Sequence, residues 1–175
     1  MIVQRLCLLA PQQVVIVAND PTLPAQVALG SDVEWLADSY HDCGPLGGLA
    51  TALTSCADWV LFVACDMPLV KPELFAHFCT LAAMTDDTGT DRWDAIVPVV
   101  DSYPEALHAL YHPRCLPAIV ARLATHDRRA ISFLPDVRVR YVHEDELRQL
   151  DPALHSFVNA NTPAEWTQAL ALLAE

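Results

Sequence analysis

At 175 residues with 53% hydrophobic side chains, the chain is long enough for one α/β domain with its own core and far from a disordered composition. No apolar run approaches the roughly 18 uninterrupted residues of a membrane-spanning helix. A net charge of −12, with Lys71 as the only lysine, argues against a nucleic-acid duplex as partner, because such binding relies on cations that neutralise phosphates; a single nucleotide, its charge offset by a metal ion, stays open.

In chain order, the opening MIVQRLCLLAPQQ has one arginine and no small-residue cleavage site, so a strand lead-in rather than a signal peptide, and a cytoplasmic location, are expected. Residues 1–10 read as the end of a helix. Val14 to Ala18 (VVIVA) is a β-branched run suited to a strand buried on both faces. Asp32 to Ala37 is a weaker strand. After Gly44-Pro45, LGGLATALTSCA has helical spacing. Trp59 to Ala64 (WVLFVA) is the strongest strand, ended by Cys65-Asp66-Met67-Pro68. Pro72 sits where a first helical turn tolerates it and opens the apolar stripe of ELFAHFCTLAAM. Residues 85–94 form a polar loop, Asp94 to Val100 and Ala106 to Tyr111 are strands, and Pro113 opens a helix to about Thr125. Val137 to Val142 alternates apolar and basic residues as an edge strand does. Asn161-Thr162-Pro163-Ala164-Glu165 is a capped helix start, and that helix runs to about Ala174. Alternating strands and helices predict βαβ units on a mostly parallel sheet, in one domain spanning residues 1–175 without internal repeats.

The six cysteines show no CxxC pair; Cys56, Cys65 and Cys79 lie in apolar segments, where buried structural thiols are expected. The histidines show no HxxxH pair on a predicted helix, so a zinc site is unsupported.

Ligands of open α/β sheets bind outside the carboxyl ends of the strands. The candidates are therefore Asn19-Asp20, Asp38, Asp66, Asn159 and Asn161. Asp66, held directly after six apolar strand residues, suits Mg²⁺, which takes one or two carboxylates plus substrate phosphates. The plainer alternative is an N-cap for the next helix. Gly44-Pro45-Leu46-Gly47-Gly48 lets backbone approach a ligand at a helix N-terminus, although such turns also serve packing. Arg128 and Arg129 suit either a phosphate grip or a solvated pair. Arg138 and Arg140 read as edge charges. Asn159 and Asn161 share one strand face by period two, and paired carboxamides either read a heterocycle or make turn and cap bonds.

In order, VVIVAND, LADSYHDCGPLGGLATAL, WVLFVACDMPLV, PEALHALY, DRRAISFL and FVNANTPAEW resemble the molybdenum cofactor guanylyltransferase family over nearly the whole chain. The resemblance implies a Rossmann-like α/β nucleotidyltransferase fold that transfers GMP from Mg·GTP to the terminal phosphate of molybdopterin cofactor and releases pyrophosphate. It implies that Asp66 is the magnesium and nucleotide carboxylate, and that Asp38 contacts the guanine nucleotide beside Gly44, Pro45, Leu46, Gly47 and Gly48. Asn159 and Asn161, with Arg128 and Arg129, fall on the pterin cofactor side. Family members often carry Asn at the position of Val17; the nearest carboxamide here is Asn19. Cytidylyltransferase relatives usually lack the GPLGG turn, which points to GTP. The family opens with a strand and a glycine-rich LAGGxSxRMGxDK stretch that holds the triphosphate, and residues 1–175 contain none; roughly 30 residues of a strand–loop–helix unit are expected to be missing in front. Without that strand, two apolar strand edges should stand open between the strands led by Val14 and Trp59. Beyond the substrates, the implied partners are other cofactor-biosynthesis proteins or recipient molybdoenzymes. The alternatives are a catalytically inactive cofactor-binding homologue, or another NTP transferase of CTP or sugar-nucleotide type on the same fold.

Overall fold

The structure, a computed structural model, describes residues 1–27, 33–86, 89–90 and 92–172. Helix α1 (Ile2–Leu6) tightens into a 3₁₀ turn at Cys7–Leu9 and stops at Ala10, whose φ is 48°. The β-branched run then forms β1 (Val14–Val17), which pairs in parallel with β2 (Val33–Leu36) across the short helix α2 (Leu23–Gln26). Asp32, the predicted start of that second strand, lies outside the described residues. Helix α3 (Gly44–Ser55) returns the chain to β3 (Val60–Val63). Next come α4 (Pro72–Ala82), β4 (Ala95–Val100), the two-residue β5 (Tyr103–Pro104) and β6 (His108–Tyr111). A 3₁₀ turn at Pro113–Cys115 leads into α5 (Leu116–Ala124), followed by β7 (Val139–Val142), α6 (Glu144–Leu147) and α7 (Pro163–Leu172). Proline occupies the first turn of α3 and α4, where its missing N–H costs nothing. The predicted capping box at α7 is present: Glu165 Oε2 accepts from the amides of Asn161 and Thr162, at 2.7 and 2.9 Å, while its own amide donates to Thr162 Oγ1. Residues 173–175, at the predicted end of that helix, lie outside the described residues.

The α/β expectation is met, but the parallel character of the sheet is partial. β1–β2 and β4–β7 are parallel, whereas β6 runs antiparallel to both β3 and β4, and β5 antiparallel to β4. The reason is the short connection from β4 to β6 through β5, because parallel neighbours need a crossover of about a dozen residues or more. Among the described residues β1 pairs only with β2 and β3 only with β6. Each of the two strands thus has one unpaired edge among the described residues, and all four residues of each are half-buried. The inner strand β6, by contrast, is buried throughout.

Period-two alternation sorts the core. Ala95, Val97, Ala109 and Tyr111 point to one face with Leu46, Leu49 and Leu53 of α3 and Ile119 of α5. Ile96, Leu110 and Val142 point to the other, with Phe75 and Phe78 of α4 and Leu147 of α6. Helix α3 packs against both β1 and β3 and so holds the two sheets together.

The arginines read as edge charges are engaged. Asp94, just before β4, accepts from Arg138 Nε (3.0 Å), a terminal guanidinium nitrogen (2.9 Å) and the Arg138 amide (3.0 Å), and from Arg114 Nε (2.8 Å). Burial pushes the Asp94 carboxyl up, but the Arg138 and Arg114 bonds outweigh it and hold the group well below the usual carboxylate range. Arg140 bonds Glu146, 2.7 Å away. Strand alternation located these side chains on one face, but their partners are distant in sequence. The cysteine expectation also needs correction: Cys65 and Cys79 are exposed and Cys56 half-buried, whereas Cys115 is the buried thiol, donating to Asp94 O. Burial pushes that thiol up to about 12.

His108 is fully buried between the rings of Phe75 (4.5 Å) and Phe157 (4.9 Å), and neither ring nitrogen has a hydrogen-bond partner. Burial lowers its pKa to about 3 against a partial opposing effect of nearby Asp151. The folded form therefore refuses a proton that the unfolded chain takes up near pH 6.5, so stability present above 6.5 is lost as pH falls, by up to about 1.4 kcal/mol per unit. Urea unfolding between pH 6.5 and 5 is expected to show this slope and His108→Phe to flatten it; an unchanged slope would remove His108 as its source.

Candidate functional site

The chain leaves β3 at Val63, where the Ala64 amide donates to Leu107 O at 2.9 Å, and turns at once into Asp66. Met67, Pro68, Leu69 and Val70 are buried immediately after it, which fixes the turn as the apolar pattern implies. Asp66 itself is half-buried, and its Oδ1 is buried with no hydrogen-bond partner. The N-cap alternative is not realised: α4 is capped by Lys71 without a side-chain bond. A buried carboxylate oxygen without a donor is unfavourable as it stands and favourable against a cation, so the site fits a hard divalent metal.

Asp66 O accepts from the Ala160 amide at 2.8 Å. Ala160 is buried with Leu69 and Ala169 in a small cluster of its own. Its neighbours Asn159 and Asn161 are exposed beside the Asp66 turn. They do not share a strand face as the period suggested, because this stretch forms no strand; the capping box bends it into α7. A second tie holds the same segment. Lys71 Nζ lies 2.9 Å from the fully buried Asp151 carboxylate, which also accepts from the Ser156 amide at 2.8 Å. Burial raises the Asp151 pKa, but the Ser156 and Lys71 bonds outweigh it and leave it below its ordinary value. Lys71 is thus a brace for the chain leading to Asn159.

A second group of residues lies at the ends of β1 and β2. Asn19 Oδ1 accepts from the Asp38 amide at 3.1 Å. The buried Asp38 Oδ1 accepts from the Tyr40 amide and the Thr51 hydroxyl, each at 2.9 Å. The chain then enters α3, whose N-terminus has no side-chain cap and no acidic residue in its first turn, a polarity suited to an anion. Gly44 adopts φ +62° at this entry. A Cβ on Gly47 would meet Tyr40 O at 2.8 Å and Cys43 Cβ at 2.9 Å, whereas one on Gly48 meets nothing within 4 Å. Gly47→Ala is expected to destabilise by about 1–3 kcal/mol through forced displacement of that backbone, and Gly48→Ala to be neutral or stabilising by up to about 1 kcal/mol in the helix. Equal melting temperatures for the two variants would contradict the close packing. Beside Asn19, a cleft of about 280 Å³ is lined by Asp20, Pro24, Trp35 and Ala37.

Among the described residues no hydrogen bond joins the Asp38 group to Asp66; α3 connects them, carrying Thr51 and packing on β3. Arg129 is exposed and held by Asp127 two residues earlier, at 2.7 Å, and Arg128 is exposed. No hydrogen bond among the described residues ties either to Asn159 or Asn161. Sequence reasoning missed Thr51, Asp151 and Ala160. A threonine inside the apolar TALTS stretch was the available signal for the first; nothing local marks the other two.

Residues 1–146 match the family described as MobA-like NTP transferase domain. The chain belongs to this family. A probable molybdenum cofactor guanylyltransferase of Pelotomaculum thermopropionicum is 38% identical over 72% of the chain and 58% of its own length. A molybdenum cofactor guanylyltransferase of Vibrio atlanticus is 35% identical over 76% and 63%. The chain therefore spans about three fifths of the length of these curated relatives. The crystal structure of molybdopterin-guanine dinucleotide biosynthesis protein A from Archaeoglobus fulgidus superposes with a TM-score of 0.77 at 26% identity, over 98% of this chain and 85% of that one. The nucleotidyltransferase-like α/β fold of the family is thereby established for this member. No helix among the described residues is long and apolar enough to cross a membrane.

Proposed function

We propose that the protein is a guanylyltransferase acting on molybdenum cofactor, with residues 1–175 working as one nucleotidyltransferase unit. The observation that carries the reading is the unpartnered buried Oδ1 of Asp66, on a turn whose carbonyl binds Ala160 between Asn159 and Asn161. The relatives' names support the substrate pair. In this reading Asp66 holds Mg²⁺, which neutralises phosphate charge and polarises the α-phosphate when bound. Asp38 and the α3 N-terminus hold the guanine nucleotide, with Asn19 fixing the Asp38 backbone. Asn159 and Asn161 orient the pterin, and Arg128 and Arg129 add charge on that side. An oxygen of the cofactor's terminal phosphate attacks the α-phosphorus of GTP, and the bond to the bridging oxygen breaks to release pyrophosphate. Such transfer rests on positioning and charge stabilisation, so no protein nucleophile is needed.

A second reading, a protein that binds cofactor without transferring GMP, is favoured by the separation of the two groups: Asn159 and Asn161 stand exposed beside the Asp66 turn, and among the described residues no hydrogen bond joins that turn to the Asp38 group. One incubation separates the two. The chain mixed with Mg·GTP and molybdopterin cofactor is expected to yield the guanine dinucleotide and pyrophosphate. Cofactor binding without product would select the binding reading, and product from CTP or a sugar phosphate would overturn the guanine assignment.

A further inference from the structure

Among the buried residues of α3, Thr51 is the one polar side chain, 5% exposed between leucines and alanines. A helical threonine commonly returns its hydroxyl to the carbonyl four residues earlier, as Thr54 does to Ala50 at 2.9 Å. Thr51 does not. Its hydroxyl donates to Asp38 Oδ1 at 2.9 Å and accepts from the Ser39 amide at 3.0 Å. With the Tyr40 amide also on Oδ1, the carboxylate is fixed from its own turn and from α3, while Asn19, just after β1, holds the Asp38 backbone amide.

We propose that Thr51 is a positioning residue for nucleotide binding: it locks the Asp38 carboxylate by Oδ1 so that Oδ2 faces the ligand. This deepens the guanine-nucleotide reading and rests on it. Two donors satisfy Oδ1, so the rotamer of Asp38 is set before any ligand arrives, and a donor group of the nucleotide meets an oxygen already in place. The benefit of such ordering is affinity, because rotamer freedom is not lost on binding. The same hydroxyl anchors the Ser39 amide and hence the turn that enters the uncapped α3 N-terminus. One helix position therefore orients both the carboxylate and the backbone proposed to hold the nucleotide.

Thr51→Val keeps the shape and removes both hydrogen bonds, and Thr51→Ser keeps the hydroxyl. Calorimetric titration of each chain with Mg·GTP, at a temperature where thermal unfolding shows all to be folded, is expected to give about tenfold weaker binding for Thr51→Val, the worth of one well-placed hydrogen bond. Thr51→Ser should bind like the unsubstituted chain. In an Asp38→Ala background, Thr51→Val should cost less than it does alone, since only its anchor on the Ser39 amide is left to lose. Unchanged GTP affinity in Thr51→Val, failure of serine to restore it, or additive losses with Asp38→Ala would overturn the role of Thr51 alone. Absence of GTP binding by the unsubstituted chain would overturn this role and the guanylyltransferase reading together.

Discussion

Asp66→Asn is expected to weaken Mg²⁺-dependent GTP binding and guanine dinucleotide formation by about a hundredfold or more, the scale of several kcal/mol that a bound divalent ion contributes to phosphate chemistry. The same substitution should leave the metal-free chain no less stable. Oδ1 of Asp66 is buried and receives no hydrogen bond, so replacing a charge by a neutral amide of the same shape removes an unfavourable burial rather than a contact. The two measurements pull apart a ligand-binding role from a structural one. Mg²⁺ titration in the presence of GTP should lose its signal, while the urea midpoint without metal stays level or rises. A variant that binds Mg·GTP normally but unfolds more easily would show that Asp66 serves the turn and not a ligand.

Asp94→Ala should have the opposite profile, with a large effect on stability. Its carboxylate joins the start of β4 to Arg114, after β6, and to Arg138, before β7, so three strands converge on one side chain. Breaking a buried ion pair typically costs about 3–5 kcal/mol because the remaining charge is left uncompensated. Here the arginine side chains are 38% and 48% exposed, so water recovers part of that, and about 2–4 kcal/mol is expected. Since the folded-state pKa lies below the unfolded one, the contribution is present above about pH 4 and is lost as pH falls through the folded value. Denaturant unfolding of Asp94→Ala at pH 7 measures it, with Arg129→Ala as the comparison, because the Arg129 pair sits at the surface and should leave the midpoint unmoved. Equal midpoints for the two would mean that Asp94 does not hold the strands together.

The two substitutions mark what was legible in the sequence. Asp66 stood out because the apolar run from Trp59 to Cys65 ends at a carboxylate, and that pattern states both the strand and the place where it stops. Asp94 was read only as the start of a strand, and its partner Arg138 as an edge charge, because alternation along VRVRYV reports which face a side chain takes and nothing about its partner. Asn159 and Asn161 show the limit of periodicity from the other side. Their spacing fits a strand face, but the Glu165 capping box and the Ala160 bond to Asp66 draw the segment into an irregular turn. The cysteines failed likewise, since an apolar segment says that one face is buried without saying which residues lie on it.

By itself the sequence determined the alternation of strands and helices, the proline and capping-box helix starts, and Asp66 at a strand end, all set by short-range sterics, periodicity and backbone capping. Only the tertiary structure decided that β6 runs antiparallel to both neighbours, that Lys71 braces Asp151, and that Thr51 holds Asp38. Those features join residues far apart along the chain. Hydrogen-bond partners at that range are chosen by which surfaces the packed core brings together, and no local pattern carries that information.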